Sequence, residues 1–280
     1  MNMRLLICTD LDRTLLPNGE QPESPQARTW FQRLVGLPEV QLAYVTGRDQ
    51  GLVREAIQKY QLPIPDFVLA DVGVSIYLCN GESWTASSDW EAHIAEDWHG
   101  AKREDLTLLL DDLAMLRLQE PEKQKHFKLS YYAPMDLGDE QFLSMLRKRF
   151  DDKGIAVSLI WSLDEAENVG LLDILPSRAS KRHAIEFLIQ NQGFTLDNTV
   201  FSGDSGNDLP VLVSPISSIL VRNSSTDVQQ EALQMAKKLG TEQSLYIAQG
   251  GFEGTNGNYA SGIMEGVCHY HPEIRSLLDK

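Results

Sequence analysis

RLLICTDLDRT, residues 4–14, is an apolar run that stops abruptly at a pair of aspartates. Arg4 to Thr9 reads as a short buried strand, because Leu5 to Cys8 leave no polar face to turn toward water. Pro17 and Gly19 then interrupt regular structure, so Asp10 and Asp12 stand at the C-terminal end of that strand. The same punctuation recurs along the chain. Val40 to Val45 is an apolar strand that runs into Thr46, Gly47 and Arg48, and Thr199 to Ser202 runs into GDSGND at 203–208. Helical spacing falls at 25–34, 50–60, 180–190 and 228–239, with further short strands at 67–70, 75–78 and 218–221. Strands alternating with helices predict an α/β fold around a parallel sheet with both faces covered. Ligands of such sheets bind where strands deliver their C-terminal ends, which is where each polar cluster lies.

The pattern changes between about 82 and 171. A mostly helical stretch runs from Trp84 to Leu118 and includes LTLLLDDLAMLRL at helix period. It is followed by a strand at 127–133, a helix at 141–150 and strands at 155–161 and 169–175. This reads as an α+β unit inserted into the first domain, giving 1–81 with 172–280 as one domain and 82–171 as the other. A length of 280 residues suits two domains. The Gly/Asn-rich stretch from Gly250 to Gly257 is expected to be a long, mobile loop.

Forty acidic against 25 basic side chains leave a formal charge of −15. Nucleic acid and anionic membrane both require a basic footprint and are excluded as partners. The same field repels a phosphorylated metabolite unless a metal ion or a local basic cluster offsets it. Cys8, Cys79 and Cys268 form neither a CxxC pair nor an even set, so reduced thiols and a cytoplasmic location are expected. The apolar run before Asp10 is too short for a signal-peptide core, and no stretch approaches the ~18 residues of a membrane span.

The acidic clusters themselves answer the charge problem. Asp10 and Asp12 form the D-x-D of DLD, and period two on an extended segment points both carboxylates to one side. Together with Asp204 and Asp208 they suit Mg²⁺, a hard cation that prefers oxygen ligands and often retains water and substrate phosphate. Asn207 is a hydrogen-bonding neighbour. A carboxylate can also attack phosphorus, and Asp10 is the candidate. Asp12 is then the general acid and base, and Thr46 and Lys181 are the donors that meet charge building on the phosphoryl oxygens.

DLDRT at 10–14, VTGR at 45–48, Lys181 in PSRASKRHA and GDSGND at 203–208 fall in the order of the four motifs of the haloacid dehalogenase superfamily, which the chain resembles. The resemblance implies a Rossmann-like core with an inserted α+β cap of the type-two arrangement. It implies Asp10 as nucleophile, Asp12 as acid/base, and Thr46 and Lys181 as phosphate ligands. Mg²⁺ would be held by Asp10, the Asp12 carbonyl and Asp204, with Asp208 orienting the outer shell. VGVSIY, FKLSYYAP, LVRNSS and the tail GIMEGVCHY are similar to the sucrose-phosphate phosphatase group, including domains attached to some sucrose-phosphate synthases. That likeness implies a phosphorylated sugar as substrate and possible association with a synthase. Lys128 matches a cap lysine that reaches the sugar, while Gly47, Arg48 and Arg178 lie where hydroxyls or phosphate would be met. Arg13 and Arg182 depart from the group's pattern.

Blander roles compete with these. A strand-terminal DLD alone is more often a solvated turn, and Lys181 or Arg48 alone a surface cation; their order along the chain reverses that reading. Trp84, Trp90 and Trp98 are expected in cores rather than as a sugar platform, and Cys8 is expected to be a small core residue. Other sugar phosphates, among them trehalose 6-phosphate and glucosyl- or mannosyl-3-phosphoglycerate, remain open as substrates. A non-catalytic module docking on a synthase has no physical need for all six of Asp10, Asp12, Thr46, Lys181, Asp204 and Asp208.

Overall fold

The computed structural model describes residues 4–164 and 167–278. Its first unit begins with β1 (Leu5–Thr9), α1 (Ala27–Val35), β2 (Val40–Val45), α2 (Gln50–Tyr60), β3 (Phe67–Ala70), β4 (Ser75–Asn80) and β5 (Ser83–Ala86). The inserted unit contains α3 (Ser88–Ala95), α4 (Arg103–Leu108), β6 (Arg117–Leu118), β7 (Leu129–Ala133), α5 (Glu140–Asp151), β8 (Val157–Asp164) and β9 (Val169–Pro176). The first unit then resumes with α6 (Lys181–Gln192), β10 (Thr199–Gly203), α7 (Leu209–Leu212), β11 (Ser217–Leu220), α8 (Thr226–Leu239), β12 (Leu245–Ile247), α9 (Ala260–Tyr270) and α10 (Glu273–Leu278).

The first unit's sheet has the order β12-β11-β10-β1-β2-β3-β4-β5. From β12 to β3 all neighbours are parallel, so β1, β2, β10 and β11 deliver their C-terminal ends to one edge. Every residue of β1 is buried, as expected for a strand covered on both faces. The chain moves from β1 to β2 on one side and reaches β10 on the other, so the strand order reverses at β1, the place where sheets of this kind bind ligands. Capping fixes where the helices start. Asp49 accepts from the Leu52 N–H at 2.9 Å at the head of α2, and Ser225 accepts from Val228 at the head of α8.

The inserted unit is an antiparallel sheet of order β6-β7-β9-β8. Trp90 and Trp98 are fully buried there, and Trp98 meets the edge of Phe127, which makes them core residues. LTLLLDDLAMLRL is not one helix: α4 stops at Leu108, short turns follow, and Arg117–Leu118 pairs with β7.

The two units divide at 86/87 and 180/181 rather than at 81/82 and 171/172. β5 pairs with β4 through a two-residue turn, Gly81–Glu82, with Gly81 at φ 59, so the chain makes one more strand of the first sheet than expected. At the far end β9 remains paired with β8 as far as Pro176. The expectation of a mobile loop at 250–257 also needs correction. Asn256 and Asn258 each donate a side-chain hydrogen bond to the Pro22 carbonyl, and the Asn256 N–H donates to the Ser24 hydroxyl. Glu265, buried on α9, accepts from the N–H groups of Gln249 and Gly250. Among the described residues no helix is long and apolar enough to cross a membrane.

Candidate active site

Three carboxylates from two strand ends converge in the first unit. Atoms of Asp10, Asp204 and Asp208 lie within 4.8 Å of one another, and all three residues are buried. Asp10 follows β1 directly, and its N–H continues the ladder to the Ser202 carbonyl of β10 at 2.9 Å. Asp204 follows β10. Asp208 closes the turn beneath it: its Oδ2 accepts from the N–H groups of Asp204 at 3.0 Å and Ser205 at 3.2 Å. Gly203 makes this possible, because a Cβ there would lie 2.6 Å from Asp208 Cγ. Lys181, the first residue of α6 and 2% exposed, sets its Nζ 2.7 Å from Asp208 Oδ1, 3.2 Å from Asp10 Oδ1 and 3.0 Å from Asn207 Oδ1.

The electrostatics follow from burial of like charges. Burial pushes the Asp10 carboxyl up to about 7 against the pull of Lys181, and Asp208 and Asp204 add to the rise. Asp204 is pushed up to about 6 by burial and by Asp208, while Arg13 and Thr14 hold it down. Arg13 Nε lies 3.4 Å from Asp204 Oδ2, and the Thr14 hydroxyl donates to Asp204 Oδ1 at 3.2 Å. Burial alone would lower the Lys181 ammonium, but Asp208 and Asp10 outweigh it and hold it above its ordinary value. A cluster of three carboxylates facing one ammonium retains negative charge and offers hard oxygen atoms, a donor set that fits a hard divalent cation.

Asp12 does not join this cluster, contrary to the expectation that both carboxylates of the D-x-D turn the same way. β1 ends at Thr9, and the N–H groups of Thr14, Leu15 and Leu16 all turn back onto the Leu11 carbonyl, so the two-residue period stops. The Asp12 carboxylate is held instead by Arg48, Nε to Oδ2 at 2.7 Å and Nη2 to Oδ1 at 2.6 Å, and by Asn18 Nδ2 at 2.7 Å. Burial raises the Asp12 carboxyl, yet the hydrogen bonds and charge of Arg48 outweigh it and leave the group below its usual value. Arg48 therefore meets a carboxylate of the protein itself rather than open space.

Thr46, fully buried just past β2, is fixed through its backbone: its N–H donates to Leu69 at 2.9 Å and its carbonyl accepts from Val72 at 3.0 Å. A Cβ on Gly47 would meet nothing closer than Val72 at 3.9 Å. The two residues expected from the inserted unit are bonded within that unit. Lys128 Nζ pairs with Asp173 Oδ2 at 3.0 Å, and Ser130 Oγ donates to the other oxygen of that carboxylate at 2.6 Å. Arg178 is bound by the buried Asp97, which accepts from its N–H and Nε at 2.7 Å each, and by Glu96. Asn18 was missed in the sequence; the Pro-Asn-Gly turn marks a bend but gives no sign that its amide reaches Asp12.

The sequence profile of the sucrose-6F-phosphate phosphohydrolase family matches residues 3–271. The chain belongs to this family. With it comes membership of the haloacid dehalogenase-type phosphoric monoester hydrolases. A protein of Nitrosococcus oceani, described only as a HAD-like hydrolase, is 50% identical over 279 residues, all of this chain and 75% of that protein. Sucrose-phosphatase 2 of Nicotiana tabacum is 30% identical over 240 residues, 82% of this chain and 52% of the tobacco protein. The chain thus spans about half the length of that plant relative. Among solved structures, the sucrose-phosphatase of a Synechocystis species in complex with sucrose and phosphate aligns with TM-score 0.72 and 26% identity. That alignment covers 96% of this chain and 98% of the other.

Proposed function

We propose that this sucrose-6F-phosphate phosphohydrolase family member hydrolyses sucrose 6-phosphate to sucrose and phosphate through an aspartyl phosphate on Asp10. The buried Asp10–Lys181–Asp208 cluster at the strand-order reversal carries the reading, supported by the family's name and the likeness to sucrose-phosphatases. Asp10 Oδ2, the oxygen not facing Lys181, attacks phosphorus, and the sugar oxygen departs with a proton from Asp12. The ionised Asp12 then takes a proton from the water that attacks the aspartyl phosphate, which releases phosphate and restores Asp10. Thr46 and the Lys181 ammonium hold the phosphoryl oxygens as charge spreads over them.

Asp10 and Asp204 are the residues that would hold Mg²⁺. Asp208, with one oxygen bound by two N–H groups and the other by Lys181, keeps both in place. Bound there, the ion supplies neutralising charge that lets an anionic phosphate approach three carboxylates. Lys128, with Asp173 and Ser130 beside it, is the inserted unit's candidate for contacting sugar hydroxyls, with Arg48, Gly47 and Asn207 as candidates in the first unit.

The test is Mg²⁺-dependent phosphate release from a panel of sucrose 6-phosphate, trehalose 6-phosphate and glucosyl- and mannosyl-3-phosphoglycerate. Sucrose 6-phosphate should exceed the others by at least roughly tenfold in kcat/KM, a difference of about 1.4 kcal/mol in transition-state binding. Equal rates reject the substrate, and an active Asp10→Asn variant rejects the nucleophile.

A further inference from the structure

Asn223, in the LVRNSS segment after β11, is buried and uses both ends of its amide on backbone groups far apart in sequence. Its Nδ2 donates to the Arg13 carbonyl at 2.6 Å, and its Oδ1 accepts from the Tyr259 N–H at 2.8 Å. Both partners hold a left-handed backbone without being glycine: Arg13 has φ 58, and Tyr259 has φ 50 with ψ −133. Such conformations persist in residues with a Cβ only where surrounding bonds impose them.

Arg13 immediately follows Asp12, and its peptide is gripped from both sides. Its N–H donates to Asn18 Oδ1 at 2.7 Å, the same Asn18 whose Nδ2 holds the Asp12 carboxylate, while its carbonyl is held by Asn223. Tyr259 is fully buried, and its ring hydroxyl reaches Gln21 at the end of the same segment. One buried amide therefore ties the turn behind Asp12 to the start of α9. We infer that Asn223 is a positioning residue for the reaction: it imposes the left-handed turn at Arg13 and thereby aims Asp12 at the leaving oxygen. The 250–258 stretch is bonded to Pro22 and Ser24, farther along the segment that follows this turn.

The inference rests on the proposed phosphatase activity, and its test separates the two. Glycine adopts a left-handed φ without steric penalty, so Arg13→Gly removes the need for an imposed turn. Expected for Asn223→Ala is a fall in kcat of roughly tenfold to hundredfold, the scale of a misplaced catalytic group, with KM nearly unchanged. In the Arg13→Gly background the same substitution should lower kcat by less than about threefold, and amide exchange over residues 11–21 should rise only in the Arg13 background. Should alanine unfold the chain, Asn223→Asp keeps size and the acceptor for Tyr259 but lacks the donor for Arg13, and the same cycle is read with it. Equal losses in both backgrounds overturn the inference, as does unchanged kcat or unchanged exchange in Asn223→Ala. A wild-type protein inactive on every sugar phosphate overturns the phosphatase reading instead, and the exchange measurement still decides whether Asn223 imposes the turn.

Discussion

Arg48 and Asp12 face each other in a two-point clasp, Nε to Oδ2 at 2.7 Å and Nη2 to Oδ1 at 2.6 Å. The guanidinium orients the carboxyl and holds it below its usual value, which favours the ionised form that takes a proton from water in the second step, while the first step draws on the protonated form. Replacing Arg48 with alanine removes two charge-assisted hydrogen bonds. The limb of the pH–rate profile that belongs to Asp12 should move to higher pH, and kcat should fall by roughly tenfold to hundredfold. An unmoved limb would separate Arg48 from the proton transfer.

Asp10 and Asp204 are raised to about 7 and about 6 from an ordinary 3.8. A carboxyl raised on folding binds its proton more tightly in the folded chain. Stability is therefore fullest below the unfolded value and is lost as pH rises through 6 and 7. A divalent cation should reverse that loss. Mg²⁺ at a hundred times its Kd adds about 2.7 kcal/mol, which is roughly 5–10 °C in Tm for a chain near this size. Differential scanning fluorimetry should show the shift at pH 8, little of it at pH 4.5, and none in Asp204→Asn.

Gly203 leaves room for Asp208 that no other residue would leave. Gly203→Ala should displace Asp208 from the N–H groups of Asp204 and Ser205 and from Lys181, destabilising the chain by about 1–3 kcal/mol. Displacing a group that holds the ligands typically weakens a metal site about 10–100-fold, which calorimetric titration with Mg²⁺ can measure.

Arg178 serves the inserted unit's own structure. Arg178→Ala takes the guanidinium from the buried Asp97 but keeps the backbone N–H that also donates to it, so thermal denaturation should show a loss of about 1–2 kcal/mol, moderated further because the guanidinium is one-third exposed. KM for sucrose 6-phosphate should stay within about twofold of wild type if the bonds to Asp97 and Glu96 are what Arg178 is for. A tenfold rise in KM at unchanged Tm would return Arg178 to the substrate.

Elements buried on both faces were plain in the sequence: β1, β2, β3 and β10 are short, mostly apolar runs, and β1, β2 and β10 each end in polar residues that the sequence marked as candidates. α9 was not visible. Its residues Ala260 to Val267 are all buried, so it lacks the polar face that produces a helical period, and Gly262 and Gly266 lower its intrinsic propensity. Gly266 is there for closeness, since a Cβ would strike Ile219 of β11 at 2.4 Å. Asp10 and Asp204 could be picked out because each directly follows an apolar strand, Asp208 because it lies in the turn just beyond, and Lys181 from its place in the order of the four motifs. The partners of Asp12, Arg178 and Lys128 were not, because which cation a carboxylate takes depends on neighbours brought from far along the chain.

The strand that carries Asp10 lies beside β10, and Thr14 touches Asp204 across 190 positions of sequence. A chain leaving the ribosome at about 5–20 residues per second would wait roughly 10–40 seconds between making β1 and making β10. The whole of Ser87–Ser180 emerges in that interval and can fold with contacts of its own. Throughout it, one side of β1 has no neighbour, and its apolar run is the kind of open edge that invites pairing with other chains. Asp10 is synthesised well before Asp204 and Asp208, the residues that gather around it in the folded site.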